Sequence, residues 1–400
     1  MIEETEARRR ILEAVDPGPV ETVPLGEATG RFSGREIFAS VDLPRFDNSA
    51  MDGYAVRAVD AGTGAFLRIL EEQPAGTDRG LAVDPGGAVR IFTGAPLPAG
   101  ADAVVMQEDV RADAASGRIE ILDGVQPGEN IRRRGSDVCA SQRLLDPGDR
   151  VNAVRTGLLA SQGIVKVEVF AKPRIAVVTT GDELVPPGTE RIEAGQIFNS
   201  NGPMLAALAA EFGGSPRQFH AIDEAESLRA VLAEALADTD AVIVAGGVSV
   251  GDRDLVKAEL RNLGVREEFW RVRVRPGKPF VFGMAGRVPV FGLPGNPVSA
   301  WMTFMLFVAP ALCRMRGENR ERLATGLPLP RIEALAAERF ENTGDRPHYL
   351  RCRLESDGRV RRVGAQESHA LHGLSRAGVL VRLEPGEVRE PGDAIRGYRL

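Results

Sequence analysis

Cysteine is scarce in this 400-residue chain. Cys139, Cys313 and Cys352 lie far apart with no Cys-x-x-Cys spacing, which excludes a disulfide framework and a zinc knuckle. Long hydrophobic runs are missing too. The most apolar charge-free stretch, AWMTFMLFVAPALC from Ala300 to Cys313, is too short to span a bilayer and contains Pro310, so it reads as a buried core helix. There is no basic excess: the formal charge of −6 argues against a general nucleic-acid binder, although local arginine clusters can still receive an anion. The N-terminal MIEETEARRRILEAV is charged and amphipathic rather than a secretory leader, and a cytoplasmic location is expected. No internal repeat, Ser-His-Asp or Cys-His signature is visible. His369 and His372 are the only closely spaced histidines, and no carboxylate or cysteine pattern joins them into a metal site.

What is present is an ordinary globular composition, 43% hydrophobic and 26% charged, in a chain long enough for two to four domains. Three textures follow one another. From about Val20 to Val169 short apolar stretches are punctuated by Gly and Pro, with helical periodicity only at Asn152 to Gly163, which predicts an all-β module inserted into a smaller mixed domain. From Pro173 strands (RIAVVTTG, RQFHAI, DAVIVAGG, VPVFGLPG) alternate with helical segments, which predicts a mostly parallel sheet covered on both faces. From about Leu327 to Leu400 short strands and turns return, a small β domain.

Ligands of an open parallel sheet bind outside the carboxyl ends of its strands. Three unusual turns fall there: TTGDEL with Gly181 and Asp182, AGGVSVGDRD with Gly246, Gly247, Ser249 and Gly251, and GLPGNPVS with Pro294, Asn296, Pro297 and Ser299. Glycine lets backbone N–H groups approach a ligand and a following helix N-terminus favours an anion, so three such turns on one edge point to a phosphate-type site. Gly246 and Gly251 have Walker-A spacing, but Asp252 and Arg253 follow, so the segment fails as a P-loop, and nothing matches Gly-x-Gly-x-x-Gly. Asp182, Glu183, Asp252 and Asp254 would repel phosphate unless a divalent cation sat between them, and hard oxygen ligands beside phosphate suit Mg²⁺. Any one of these acids serves equally well as a helix cap or turn former. FWRVRVRPGKPF is expected to place Arg271, Arg273 and Arg275 on one strand face with Lys278 beyond a Pro-Gly turn, opposed by acids or by an anion. Arg132 to Arg134, and Arg351 with Arg353, are weaker versions of the same arrangement. In RFDNSAMDGYAV, the Asp52–Gly53 pair predicts a turn that only glycine enters without steric cost.

Taken in order, FDNSAMDGYAV, RIFTGAPLPAGADAVVMQE, VVTTGDEL, GGVSVGDRD, RPGKPF and GLPGNPVS closely resemble the molybdopterin molybdenumtransferase family, MoeA in bacteria and the gephyrin E domain in animals. The resemblance runs over nearly the whole chain. It implies a multidomain α/β plus β protomer, elongated and usually dimeric. Its parts would be a small mixed domain at 1–46 and 138–170, an inserted β-rich domain at 47–137, a central doubly wound α/β domain at 171–326 resembling molybdopterin adenylyltransferase, and a barrel-like β domain at 327–400. The implied reaction takes adenylylated molybdopterin and molybdate, inserts the metal at the dithiolene and releases AMP with Mg²⁺ present. Family positions carry functional acids onto Asp52, Asp137, Glu183, Asp223 and Asp254, with Thr93, and make Glu183 and Asp254 the Mg²⁺ ligands. Oxyanion-contacting positions fall on Arg271, Arg275, Lys278, Ser299, Arg351 and Ser368, and Asp52 is expected to act across a dimer interface. The family also implies transient partners, the adenylyltransferase and apo-molybdoenzymes or their chaperones.

Departures are confined to a few positions. Members commonly carry Lys where this chain has Arg271 and Arg275, and Gly where it has Glu367. Arg forks where Lys points, so the oxyanion geometry differs, and Glu367 adds a carboxylate beside Ser368. Two other readings are the adenylylation of molybdopterin in the preceding step, against which the β modules argue, and a non-catalytic scaffold of the gephyrin type, which would not need Asp52, Glu183 and Asp254.

Overall fold

A computed structural model describes residues 1–113, 115–247 and 255–400. The chain divides into two compact units, one of residues 1–35, 147–153 and 166–400, the other of residues 36–146 and 154–165.

The larger unit is built on a six-stranded sheet in the spatial order Ser215–Ala221, Arg174–Thr180, Ala241–Ala245, Val288–Leu293, Val281–Ala285, Arg266–Trp270. The first four strands are parallel, as the alternating strands and helices predict. The inner three are apolar on both faces, whereas the edge strand Ser215–Ala221 is largely exposed. Ile175, Val177, Ile243 and Phe291 enter one core with the helices Asn201–Glu211 and Pro297–Met315, while Ala176, Val178, Val242 and Val290 enter a second with Ala225–Ala237 and Leu255–Asn262. The Pro297–Met315 helix is 89% buried, as a core helix should be, and widens to a π turn at Phe304–Val308.

The last two strands depart from expectation. Val281–Ala285 and Arg266–Trp270 pair antiparallel as an added ribbon, and Arg271, Arg273 and Arg275 do not share a strand face. The strand stops at Trp270 because Arg271 turns the chain with φ of 68°. Arg273 then lies in a two-residue strand beside Ile2–Glu3, with its guanidinium on Glu3 at 3.0 Å, and Arg275 bridges to His348. The arginines are separated by the turn that the sequence pattern hid.

A closed five-stranded barrel follows, from Arg331–Ala336, His348–Leu354, Arg359–Arg362, Val379–Leu383 and Ala394–Arg399. Closure removes the exposed edges that so short a sheet would otherwise present. The N-terminal helix Glu4–Ala14 is tied to it by charge. Glu4, 4% exposed, takes Arg8 Nη2 at 2.7 Å, the Tyr349 hydroxyl at 2.9 Å and Arg382 Nε at 3.4 Å, and Tyr349 and Arg382 face each other across two barrel strands. Arg8 Nε also donates to the Leu306 carbonyl within the π turn, at 3.3 Å. One buried carboxylate therefore joins helix, barrel and the helix that leaves the sheet edge.

In the smaller unit a six-stranded sheet runs Ala103–Met106, Gly53–Val56, Gly87–Ile91, Phe66–Gln73, Arg118–Ile121, Val110–Asp113. Gly53 is not in the predicted turn; it sits inside a central strand paired to both Ile91 and Met106. Glycine is needed there for another reason: a Cβ would overlap the Val105 carbonyl.

Replacing Arg8 by Met preserves volume but strips the buried Glu4 of its closest cation. Breaking a buried pair from one side costs about 3–5 kcal/mol, and Arg382 and Tyr349 keep Glu4 partly compensated. Urea unfolding of Arg8→Met should therefore show a loss of about 3 kcal/mol with an unchanged slope.

Candidate active site

The register fixes where the turns meet. Thr180 pairs with Ala221, Thr179 with Ala245, and Ala245 with Leu293. Gly181, Asp223, Gly246 and Pro294 consequently leave the sheet from a single edge. Trp270 pairs with Val281 and Val281 with Gly292, so Arg271 leaves from that same edge, and the loop through Lys278 returns to it.

Gly246 and Gly247 have φ of 99° and 64°, and a Cβ on Gly246 would lie 2.8 Å from the Thr180 carbonyl. Only glycine lets these two turns close on each other. Asp182 Oδ1 accepts the Asp223 amide at 2.9 Å. Burial, then the neighbouring charge of Asp182, then that of Glu183, raises the Asp223 carboxyl above its ordinary range. Among the described residues no three His, Cys, Asp or Glu side chains are arranged to hold a metal, His369 and His372 included. Ser249, Gly251, Asp252 and Asp254 lie outside the described residues, so the Glu183–Asp254 pairing is placed at one of its two ends only.

The third turn is held from the barrel side. Asn296 Nδ2 donates to Ser368 Oγ at 2.9 Å, and the Val298 amide, one residue beyond Pro297, donates to the Ser368 carbonyl at 3.1 Å. Arg351, only 1% exposed, donates Nη2 to the carbonyls of Ala365 at 2.6 Å and Glu367 at 3.2 Å. Its guanidinium thus braces the loop that carries Ser368, a positioning role rather than an open anion contact. Burial lowers its pKa and the Glu367 charge opposes that, so Arg351 compensates the carboxylate that departs from the family pattern. Ser299 is buried in the first turns of the Pro297–Met315 helix, where its carbonyl accepts Thr303 Oγ1 at 2.8 Å. Gly277, with φ of 115°, packs its loop against Thr303, and a Cβ there would lie 2.7 Å from Thr303 Cγ2.

Cations complete the edge. Arg275 and Lys278 are exposed, and neither has an ion pair among the described residues. The Arg271 guanidinium lies 3.7 Å from the centre of the Trp270 ring and Lys257 Nζ 3.2 Å from it. His348, beside Arg275, is pushed down to about 4 by burial and by Arg275, Arg351 and Arg346, and is neutral at pH 7. In a cavity of about 710 Å³ in the barrel, Arg382, Arg389 and Arg396 are engaged by Glu384, Glu387 and Glu333, and the fourth arginine of the lining, Arg331, donates to the Thr325 carbonyl at 2.7 Å.

In the smaller unit Asp52 and Thr93 meet. Asp52 Oδ1 accepts the Thr93 amide at 2.7 Å and its hydroxyl at 2.8 Å, and these bonds, with Arg90 nearby, hold the carboxyl below its ordinary value. Asp137 is exposed and its carboxylate makes no hydrogen bond among the described residues. Arg133 and Arg134 are paired with Asp47 and Asp42, at 2.7 and 2.5 Å.

Sequence reasoning overlooked Asn199 and Asn201 in FNSNGP. Asn199 caps its helix by accepting the Gly202 amide at 3.0 Å and donates to Thr179 Oγ1 at 2.8 Å, while Asn201 Nδ2 donates to the Gly295 carbonyl at 2.7 Å. The signal was available: two asparagines at the start of an apolar helix that follows a sheet edge.

Comparison with known proteins identifies the class. The chain matches the MoeA N-terminal region (domain I and II) over residues 2–163, a probable molybdopterin binding domain over 176–314 and the MoeA C-terminal region (domain IV) over 333–399. It is therefore a multidomain protein of the MoeA type with a C-terminal β barrel. A molybdopterin molybdenumtransferase of Haemophilus influenzae is 35% identical over 386 residues, covering 95% of this chain and 93% of that one. Molybdopterin molybdenumtransferase 2 of Mycobacterium tuberculosis is 38% identical over 386 residues, with 92% of each covered. A gephyrin of Dictyostelium discoideum is 32% identical over 94% of this chain, which spans 59% of the gephyrin. The solved structure of a molybdopterin biosynthesis MoeA protein from Pyrococcus horikoshii superposes with a TM-score of 0.83 at 31% identity, covering 100% of this chain and 99% of that one. The chain belongs to the molybdopterin molybdenumtransferase family.

The raised Asp223 carboxyl carries a pH signature. The folded protein holds this proton more tightly than the unfolded chain, so stability falls as pH rises from the ordinary aspartate range through the raised folded value, and the penalty is fully present above it. Asp223→Asn should melt higher than wild type at pH 7 and lose that advantage near pH 3, as read by thermal unfolding at the two pH values.

Proposed function

We infer that this protein is a transferase of molybdenum cofactor biosynthesis that inserts molybdate into adenylylated molybdopterin and releases AMP. The observation that carries the reading is the sheet edge, which gathers two positive-φ glycines, a carboxylate group and two exposed cations without an ion pair among the described residues. Molybdate is a dianion at neutral pH, and the substrate's phosphates add to the charge. Arg275 and Lys278 would supply charge-assisted hydrogen bonds to the oxyanion, with Arg271 beside them on Trp270. Gly181, Gly246, Gly247 and the Asn296 turn bring backbone close to the nucleotide phosphates.

Mg²⁺ keeps most of its waters and takes one or two carboxylates plus phosphate oxygens, so Glu183, Asp182 and Asp223 are donors of the right hardness for it. Glu183 would hold the ion together with Asp254, and the ion would neutralise charge on the phosphoanhydride. We also propose that Asp52, with Thr93, belongs to the reaction, that the protein works as a cytoplasmic homodimer, and that it meets the adenylyltransferase and apo-molybdoenzymes or their chaperones transiently. The buried state of the one long apolar helix supports a location away from the membrane. Light scattering at micromolar concentration should report twice the 42.9 kDa chain mass, and a monomer would overturn the dimer.

The direct test is AMP release from adenylylated molybdopterin. Release should require both molybdate and Mg²⁺ and stop on chelation; no release under any of these conditions would overturn the function. Within that assay, Lys278→Met should raise the molybdate concentration needed by roughly tenfold to a hundredfold, the loss of one charged hydrogen bond of about 1.5–3 kcal/mol. Nucleotide affinity should be unchanged, and superimposable molybdate titrations would show Lys278 to be only a solvated loop charge.

A further inference from the structure

Asn201 is 8% exposed and opens the eleven-residue helix Asn201–Glu211. Its Nδ2 donates to the Gly295 carbonyl at 2.7 Å, but Oδ1, itself buried, has no hydrogen-bond partner among the described residues. The orientation of the carboxamide is settled by that first bond, since the flipped amide would set its oxygen against the Gly295 carbonyl. Gly295 lies against the glycine turn, with a Cβ on it 3.8 Å from Gly246 Cα. The half-used carboxamide therefore sits where the two ligand-facing turns approach each other. Asn199, two residues earlier, differs in this respect: its oxygen takes the Gly202 amide and its nitrogen reaches Thr179.

A buried acceptor without a donor is costly, and proteins keep few of them. An amide oxygen carries lone pairs only, so it repels phosphate and molybdate oxygens; with the carboxylates of the edge as the harder, charged ligands for a cation, its partner is one that brings an N–H or O–H. The cations nearby select the anionic parts of the substrate and leave this oxygen to the neutral part. We propose that Asn201 Oδ1 accepts a hydrogen bond from an N–H of an aminated nitrogen heterocycle in the substrate, which makes Asn201 a specificity residue of the edge. The inference rests on the function proposed above. Adenylylated molybdopterin presents that chemistry twice, on the 2-amino-4-oxo edge of the pterin and on the 6-amino group of adenine.

The test uses 6-hydroxymethylpterin, AMP and the dimethylamino derivative of each, titrated into the full-length wild type and Asn201→Leu. Wild type should prefer one parent heterocycle over its dimethylated form by about tenfold or more, and the pair that shows the preference identifies the source. Leu fills the same volume without an acceptor, so a preference that arises from bulk alone would survive the substitution, whereas one that arises from the hydrogen bond should collapse. Parent binding without any preference in wild type overturns the inference alone, with no variant needed. A preference that survives in Asn201→Leu does the same and assigns the oxygen to a buried water. Failure of wild type to bind either parent heterocycle overturns the proposed function and this inference together.

Discussion

Four strands in parallel register, the inner three apolar on both faces, decide where polar chemistry can gather in the larger unit. Arg174–Thr180, Ala241–Ala245 and Val288–Leu293 bury both faces beneath helices and leave polar side chains little room between the strand ends, while the fourth strand, Ser215–Ala221, pairs parallel at the exposed edge. Parallel pairing then brings all their carboxyl ends to a single row. Everything assigned to the reaction in this unit hangs from that row: Gly181 and Asp223, the Gly246–Gly247 turn, the Asn296 turn, and the Arg271–Lys278 loop added by the antiparallel ribbon. The barrel contributes by holding that row in place, through Ser368 on Asn296 and Arg351 beneath the Ser368 loop.

Charge is distributed with the same economy. Most arginines whose contacts are described face a carboxylate: Arg9, Arg133, Arg134, Arg229 and Arg382 are each paired, some on the surface and some deep in the fold. Surface pairs of this kind contribute little to stability, but they cancel the field that would draw anions elsewhere. Arg275 and Lys278 have no such pairing among the described residues, and what sets them apart from other unpaired cations such as Arg68 and Arg191 is their place on the loop that returns to the row of strand ends. An anion approaching a protein of net charge −6 is attracted where positive charge is left uncompensated.

The alternation of strand and helix from Pro173 onward, and the three glycine turns, were legible because hydrophobic period and glycine placement are local properties. The ribbon Arg266–Trp270 and Val281–Ala285 was not, since the backbone reversal at Arg271 depends on tertiary contacts that no pattern of residues announces. Gly53 shows the opposite error. Its Asp-Gly context signals a turn, yet its glycine is required by the carbonyl of a neighbouring strand, Val105, far along the chain. Arg351 looked like an anion ligand because charge is visible in sequence and burial is not. Asn201 was passed over because a single asparagine at a helix start has many uses, and only the missing partner of its oxygen distinguishes it.

The central claim is that Arg275 and Lys278 at the sheet edge receive the metal oxyanion. Anomalous diffraction at the molybdenum edge from crystals soaked in molybdate tests it without any assay of turnover. The account predicts a peak within hydrogen-bonding distance of Arg275 and Lys278. A peak in the barrel cavity beside Arg382 and Arg389, with none at the edge, would contradict it.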